Sequence, residues 1–445
     1  MGAFLCFAAM ATAAPPNIVI FFLDDAGYSD FQPFGNPPYA TPNVARLATE
    51  GGRYNNFHVP QAICSASRAA LLTGCYPERT KVFGAHGARE RGLEPSFPIM
   101  SEIFKKQGYV TGIFGKWHIG DQPDTRPAAR GFDESAGMMY SHDMWEYHPK
   151  APEIWGKYPL QFWTNGNVTC ERVTPEFQKN VTQLLTGGAI DFIKRHQDQP
   201  FFLYVPFFMP HVPLFVSDPF LGKSGAGLYG DAIVELDDSI GRILAELKKC
   251  GLEENTIVIF SSDNGPYIGY GNHAGKTPFR EGKITSFNGG TQSSLLIKYP
   301  AKIKPGTVSD ATFCSVDLLP TLCGLNGAPL PASEIDGANV WPLISGEPGA
   351  KNPHEYYPIT TKENLDAILS GDGEWILHLP HKYRHLVTPG MDGQEGKYQE
   401  LKLELSLFNL KKDPLETTNV MEQFPDVATK LQQIAADHKK KFYDK

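Results

Sequence analysis

The chain has 445 residues, of which 41% are hydrophobic and 12% aromatic, so it can bury a large core. It carries 41 lysines and arginines against 49 aspartates and glutamates, a net charge of -8. No basic run interleaved with aromatic residues occurs, so nucleic acid is not an expected partner. Beyond the N-terminus no apolar stretch approaches the roughly 20 residues that a membrane span needs.

The N-terminal segment, residues 1–14, reads "MGAFLCFAAMATAA". An apolar run that ends in small residues is typical of a secretory signal peptide. The run has no lysine or arginine before it, and a buried N-terminal strand is the alternative. A signal peptide predicts an exported protein that is secreted, periplasmic or lysosomal rather than cytoplasmic.

Strand and helix patterns then alternate up to about residue 330. Near-continuous apolar runs indicate strands buried on both faces, as in parallel sheets. The predicted strands are Asn17–Leu23, Tyr109–Gly115, Phe201–Phe207, Thr256–Ser262 and Ser293–Lys298. One predicted helix has Thr41 as its N-cap, and the longest runs from about Leu228 to Cys250. The alternation predicts an α/β sandwich around a mostly parallel sheet over residues 15–330.

The pattern changes in the last part of the chain, residues 331–445. Shorter strand-like pieces, "EWILHL" and "LSLFNL", are followed by an amphipathic segment that begins at Phe424. This pattern predicts a smaller α+β subdomain with a terminal helix packed on the body.

Polar side chains follow four of the predicted strands. They are Asp24 and Asp25, Lys116 and His118, His211, and Asp263 and Asn264. In open α/β sheets, ligands bind beyond the carboxyl ends of the strands, so these side chains are expected to meet at one edge. Carboxylate and amide oxygens suit Ca²⁺ or Mg²⁺ rather than zinc.

A single cysteine, Cys64, stands in "PQAICSASRAALLTG", before a helix predicted from about Ser67 to Thr73. The positive end of that helix and the Arg68 guanidinium would make an anion-binding pocket around the thiol. The alternative is that Cys64 is a small buried hydrophobic residue.

The stretch "CSASRAALLTG" resembles the signature of the type I sulfatases, in which the cysteine is converted to formylglycine (3-oxoalanine). The stretches "DDAGYSD", "GKWHIG", "ARGFDE" and "IVIFSSDNG" are similar to the same family. The resemblance implies an alkaline-phosphatase-like fold and hydrolysis of sulfate esters, with a sulfated saccharide as the expected substrate. It also implies a formylglycine-generating maturation enzyme as a partner.

The resemblance implies roles for individual residues. One Ca²⁺ would be held by Asp24, Asp25, Asp263, Asn264 and the modified Cys64. The catalytic groups would be Cys64, Arg68, Lys116, His118, His211 and Lys283. In this scheme His211, with Lys283, protonates the departing alcohol, and His118 accepts a proton from the hydrated aldehyde.

Two polar loops are candidates for the rim that recognises the sugar. They contribute His86 and Arg89, and His142, Asp143 and Trp145. An aromatic ring beside hydrogen-bonding groups suits a sugar, but an ordinary polar loop has the same composition.

Three positions depart from the family pattern. Ala66 stands where proline is commonest, and Asn288 and Gln292 replace the usual glutamate and arginine near Lys283. Two amides in place of two opposite charges suggest the loss of one salt bridge.

Two other functions stay open at this point. A phosphatase or phosphodiesterase of the alkaline phosphatase superfamily would normally use a serine or threonine nucleophile and two metal ions with more histidine ligands. A non-catalytic binding relative would keep the fold without the chemistry.

Overall fold

An eleven-stranded sheet runs through the larger part of the protein. The structure is a computed structural model, and it describes residues 14–148 and 150–444. The predicted signal peptide therefore lies outside the described residues, apart from Ala14. Within the described ranges, none of the helices combines the length and apolar content that a bilayer crossing needs.

The strands and helices are numbered in chain order. The strands are β1 Asn17–Leu23, β2 Gly52–His58, β3 Val110–Phe114, β4 Glu134–Gly137, β5 Phe162–Thr164, β6 Asn167–Cys170, β7 Phe201–Val205, β8 Thr256–Ser262, β9 Gln292–Lys298, β10 Thr307–Ser309, β11 Phe313–Cys314, β12 Tyr356–Thr361, β13 Asn364–Ser370, β14 Trp375–His378, β15 His381–Thr388, β16 Lys397–Leu403 and β17 Ser406–Asn409. The α-helices are α1 Pro42–Glu50, α2 Cys64–Thr73, α3 Pro77–Thr80, α4 Met100–Lys106, α5 Pro152–Trp155, α6 Pro175–Lys179, α7 Val181–Arg195, α8 Gly227–Lys249, α9 Asn288–Thr291, α10 Leu318–Asn326, α11 Trp341–Ser345 and α12 Pro425–Phe442.

The main sheet has the order β10-β2-β9-β8-β1-β7-β3-β4-β5-β6, with β11 paired to β2. Its centre, from β8 to β4, is parallel throughout. Helices cover both faces: Phe201 of β7 packs on Phe192 of α7, whereas its neighbour Phe202 packs on Phe104 of α4. Successive strand residues point to opposite faces, so α7 and α4 lie on opposite sides. The predicted α/β sandwich is confirmed.

The predicted strands match the observed ones closely. The direction of one strand and the cap of one helix differ from the expectation. β9 pairs antiparallel with both β8 and β2, a direction that an apolar run does not reveal. Thr41 does precede α1, but its hydroxyl accepts the Gln32 N–H at 3.0 Å instead of capping the helix.

The C-terminal part contains a four-stranded antiparallel sheet, β12-β13-β14-β17, and the hairpin β15–β16. The terminal helix α12 packs on β13 and β14. The small sheet also meets the main body, because the Thr360 N–H donates to the Pro60 carbonyl at 2.9 Å. Tyr357 and Ile359 of β12 share a buried apolar cluster with Ala70 of α2.

A buried hydrogen bond between a histidine and a glutamate links the terminal helix to the main body. His438 of α12 lies 3.0 Å from Glu78 of α3, and both side chains are fully buried. The other ring nitrogen of His438 meets the Tyr356 hydroxyl at 3.1 Å. Removing one member of such a pair leaves the other polar group buried without its partner.

We expect His438→Leu to lower the free energy of unfolding by about 1–3 kcal/mol, because leucine keeps the volume but leaves the Glu78 carboxyl group buried without its hydrogen-bond partner. Urea unfolding measures the loss, with Lys440→Ala on the exposed side of α12 as the control. Equal stability of the two variants would show that the pair does not hold the helix.

Candidate active site

The carboxyl ends of β1 and β8 bring three carboxylates together. Leu23 and Ser262 are paired in register, so Asp24, Asp25 and Asp263 leave the sheet side by side. The Asp25 N–H donates to Asp263 Oδ1 at 3.1 Å. Asp25 has a φ of 64°, a left-handed conformation that turns the chain sharply behind the strand. All three side chains are buried.

Cys64 is the first residue of α2, three residues earlier than predicted. Its thiol lies 3.4 Å from Asp24 Oδ1 and 3.1 Å from Lys283 Nζ. Burial, together with the Asp24 carboxylate, raises the pKa of the Cys64 thiol well above its ordinary value. The group is therefore a neutral thiol at the positive end of a helix.

Arg68 lies one turn further along α2 and joins it to both strand ends. Its Nε and Nη2 atoms donate to Asp263 Oδ2 at 3.1 and 2.7 Å, and Nη2 lies 3.4 Å from Asp24 Oδ1. Burial lowers the pKa of Arg68, but Asp263 outweighs burial and raises it, so the guanidinium stays charged. Burial raises the pKa of Asp263 to about 6 against the opposing effect of Arg68.

Lys116 reaches the Asp24 carboxylate from the end of β3. Gly115 before it has a φ of 148°, and a Cβ there would collide with the Pro206 carbonyl, so glycine is required. Lys116 Nζ donates to Asp24 Oδ2 at 2.6 Å and to Ser141 Oγ at 3.2 Å. Burial raises the pKa of Asp24, but Lys116 and the neighbouring cations outweigh burial and hold it well below its ordinary value.

Ser141 is a site residue that the sequence interpretation missed. It follows β4, the four-residue strand Glu134–Gly137, which pairs with β3 and has no apolar run. A search for polar side chains after the carboxyl end of each strand would have found Ser141 if β4 had been predicted. That strand is too short and too polar to recognise from the sequence pattern.

His118 has one ring nitrogen without a partner. Its Nε2 atom lies 2.9 Å from the His86 carbonyl oxygen, which requires a proton on Nε2. The buried Nδ1 atom has no hydrogen-bond partner among the described residues. Burial and the Lys116 charge hold the pKa of His118 well below its ordinary value. The ring is therefore neutral, with a free lone pair on Nδ1.

His211 and Lys283 close the opposite side of the site. His211 Nε2 lies 3.5 Å from Asp25 Oδ2, while Nδ1 faces the Val212 carbonyl. Lys283 Nζ lies 2.7 Å from Asp25 Oδ1. Burial lowers the pKa of Lys283, but Asp25 and the other anionic groups outweigh burial and raise it well above its ordinary value.

The site has the donors that a divalent cation needs. Ligand atoms of Asp24, Asp25, Cys64 and His211 all lie within 4.8 Å of one another. The buried Oδ1 atom of Asn264 has no hydrogen-bond partner among the described residues, as expected of an oxygen reserved for a cation. The carboxylate oxygens and the amide oxygen suit Ca²⁺, whereas the Cys64 sulfur and the His211 imidazole of the same cluster are ligand types that zinc accepts.

The predicted rim residues differ in exposure. Arg89 is exposed, whereas Trp145 is buried and packs on Phe215. His142 is buried with its Nε2 atom 3.0 Å from the Pro213 carbonyl, and its ring centre lies 5.5 Å from that of His211. His86 and Asp143 lie between these extremes as half-buried residues. A role of the five in sugar binding stays a prediction.

Asn288 and Gln292, the two departures from the family pattern near Lys283, form hydrogen bonds to separate partners. The Gln292 side chain donates to the Asn55 carbonyl at 2.8 Å, and the Asn288 backbone N–H donates to Glu416 Oε1 at 2.8 Å. Glu416 in turn lies 2.6 Å from His378, and both of these side chains are fully buried. A carboxylate from the C-terminal subdomain thus reaches the start of α9, next to the loop of Lys283.

Comparison with known proteins identifies the family of the chain. The sequence model of the sulfatase family matches residues 16–328. Arylsulfatase A of Bos taurus is 34% identical over 95% of this chain and 86% of its own length. N-acetylgalactosamine-6-sulfatase of Mus musculus is 35% identical over 96% of this chain and 86% of its own length. The crystal structure of PsFucS1 sulfatase from Pseudoalteromonas sp. superposes with a TM-score of 0.84 at 25% identity, over 97% of this chain and 92% of that one. The chain therefore belongs to the sulfatase family and is a sulfuric ester hydrolase.

Proposed function

We propose that the protein removes sulfate from a sulfated sugar, using a formylglycine made from Cys64 and one bound Ca²⁺. The main support for this proposal is the environment of the Cys64 thiol. The thiol lies at a helix N-terminus, 3.1 Å from Lys283 and 3.4 Å from the Asp24 carboxylate, and all of these groups are buried. The signal-like N-terminus supports an exported enzyme that is matured in transit.

Anion binding is the first task of the site. Arg68, Lys116 and Lys283 are buried cations, and each is paired with Asp24, Asp25 or Asp263. A divalent cation held by Asp24, Asp25, Asp263 and Asn264 would leave the site with net positive charge and polarise a sulfate oxygen. The chain's own cations, fixed before the substrate arrives, would then draw charge from the sulfate as the ester bond breaks.

A formylglycine at position 64 would supply, when hydrated, one hydroxyl as the nucleophile and a second whose deprotonation releases the sulfate. The α2 N-terminus holds that position in a field favourable to negative charge. Arg68, on the next turn, holds the helix against both strand ends through Asp263.

Proton transfer falls to the two histidines. His118 is neutral and has a free lone pair on Nδ1, so it can accept a proton from a hydroxyl at position 64. The Val212 carbonyl faces Nδ1 of His211, so Nε2 of the same ring points toward the site. Nε2 can hold the proton that the departing sugar alcohol needs. Lys283 lies nearby, on the other side of the Asp25 carboxylate.

The class of substrate rests on the relatives. N-acetylgalactosamine-6-sulfatase acts, by its name, on a sulfated amino sugar, and it is similar to this chain over most of its length. A sulfated carbohydrate is therefore the substrate to test first, with phosphate diesters as the comparison for the rival phosphodiesterase activity.

We expect His211→Gln to lower kcat/KM for a sugar sulfate by roughly 10²- to 10⁴-fold, since a sugar alkoxide needs a proton to leave. The loss with 4-nitrophenyl sulfate should be much smaller, because nitrophenolate leaves without one. His118→Gln is the matched control and should lower both activities alike. Equal losses on the two substrates in His211→Gln would contradict the role of proton donor.

We expect chelation of Ca²⁺ to lower the melting temperature of the protein and to abolish sulfate ester turnover. Calcium restored at about 100 times its dissociation constant should stabilise the fold by about 2.7 kcal/mol. Differential scanning calorimetry and metal analysis measure both effects, and Asn264→Leu should weaken the calcium response. Two zinc ions per chain, or a melting temperature indifferent to chelation, would contradict the assignment.

A further inference from the structure

Lys283 stands on residues 280–291, which we call the lysine loop. Its amine lies 2.7 Å from Asp25 Oδ1 and 3.1 Å from the Cys64 sulfur. A lysine side chain is a flexible chain that ends in a point charge, so the place of that charge depends on the backbone that carries it. The shape of the lysine loop therefore decides whether a cation stands beside position 64.

The backbone of the lysine loop is strained at two positions. Glu281 has a φ of 56°, and Ile284, directly after Lys283, has a φ of 69°. A left-handed conformation is unfavourable for residues other than glycine, and most of all for a β-branched residue such as isoleucine. Such a conformation persists only where the surrounding structure imposes it. Contacts from outside the loop must therefore hold it in this shape.

The main body holds the middle of the lysine loop. The Lys283 N–H donates to the Pro266 carbonyl at 3.0 Å, and the Ile284 N–H donates to the Ala62 carbonyl at 3.0 Å. Ala62 belongs to the segment that leads directly into Cys64. One hydrogen bond thus joins the strained isoleucine to the chain just before the Cys64 thiol, and the ends of the loop need other partners.

Both ends of the lysine loop bind one residue of the C-terminal subdomain, Glu416. Its carboxylate accepts the Asn288 N–H at 2.8 Å, near the end of the loop. Its backbone carbonyl accepts a hydrogen bond from the Arg280 guanidinium at 2.5 Å, at the start of the loop. The two ends also meet each other, because the Gly289 N–H donates to the Arg280 carbonyl at 2.9 Å. Glu416 thus fixes the base from which the loop rises to Lys283.

His378 orients the Glu416 carboxylate. The Nε2 atom of His378 lies 2.6 Å from Glu416 Oε2, the oxygen that Asn288 does not use, and both side chains are fully buried. The His378 ring also packs on Phe287 of the loop, with 4.9 Å between the ring centres. The Arg280 guanidinium lies 4.1 Å from the centre of the Phe287 ring. A buried carboxylate with both oxygens bonded is held in one position, and so is the loop that it binds.

We propose that Glu416, oriented by His378, is a positioning residue for Lys283. It keeps the lysine loop in the strained shape that directs the Lys283 amine to Asp25 and to position 64, and it acts through the backbone of the loop. The inference rests on the role of Lys283 in the proposed function. Misplacing a catalytic group by about 1 Å can cost about 100-fold in rate, so a contact at the base of the loop can control turnover.

A double-mutant cycle tests this role with the mature enzyme and 4-nitrophenyl sulfate. The variants are Glu416→Gln, Lys283→Ala and the two combined, since glutamine keeps the volume of the side chain and removes its charge. Glu78→Gln is the matched control, because Glu78 also bonds to a histidine, His438, with both side chains fully buried. Mass spectrometry of the peptide containing position 64 gives the formylglycine content, and kcat/KM is expressed per converted site.

A second variant serves if Glu416→Gln folds poorly. His378→Phe keeps a ring against Phe287 and removes the hydrogen bond to Glu416, so it disturbs the same carboxylate from the other side. Every variant is assayed well below its own melting temperature, which separates the position of Lys283 from a general loss of stability.

We expect Glu416→Gln to lower kcat/KM by roughly 10- to 100-fold and Glu78→Gln to leave it unchanged. When Lys283→Ala is already present, Glu416→Gln should cost no more than about twofold, because the group that it positions is gone. Equal losses with and without Lys283, or an equal loss in Glu78→Gln, would overturn the inference and leave the proposed function standing. Unchanged turnover in Lys283→Ala alone would overturn the role of Lys283 in the proposed function, and the inference with it.

Discussion

The pairing of Arg68 with Asp263 and Asp24 is the constraint on which the site depends. Burying a charged group is costly unless a partner compensates it, and here the guanidinium and both carboxylates are fully buried. The bonds tie α2 to the ends of β1 and β8, so the position of Cys64 follows from the charge pairing. Lys116 and Lys283 pair in the same way with Asp24 and Asp25. In the proposed function, this arrangement receives a divalent cation and an anionic ester.

The small C-terminal subdomain contributes to the site without entering it. Thr360 of its first strand binds both the Pro60 carbonyl and the Gln61 side chain, and so holds the loop that leads to Cys64. Glu416 binds the start of α9, beside the loop that carries Lys283. The two ends of the catalytic arrangement are thus braced by a region whose sequence pattern gave no hint of chemistry.

Strands with continuous apolar runs could be predicted to the residue, as at Asn17–Leu23 and Thr256–Ser262, because burial on both faces excludes polar residues. The strand-end rule then located Asp24, Asp263 and their neighbours. Ser141 escaped because β4 is four residues long and not apolar. Glu416 escaped because it meets Asn288 across 128 residues, a contact that no local pattern records.

The electrostatics around position 64 favour the proposal that Cys64 is the precursor of the nucleophile and not the nucleophile itself. Burial keeps its thiol protonated, so it is neither a good nucleophile nor a good metal ligand. The decisive measurement is mass spectrometry of the peptide containing position 64, taken from a preparation whose active sites have been titrated. The account predicts a lighter, aldehyde-bearing peptide in a fraction equal to the fraction of active sites. Full sulfate ester turnover by protein in which every Cys64 is intact would contradict it.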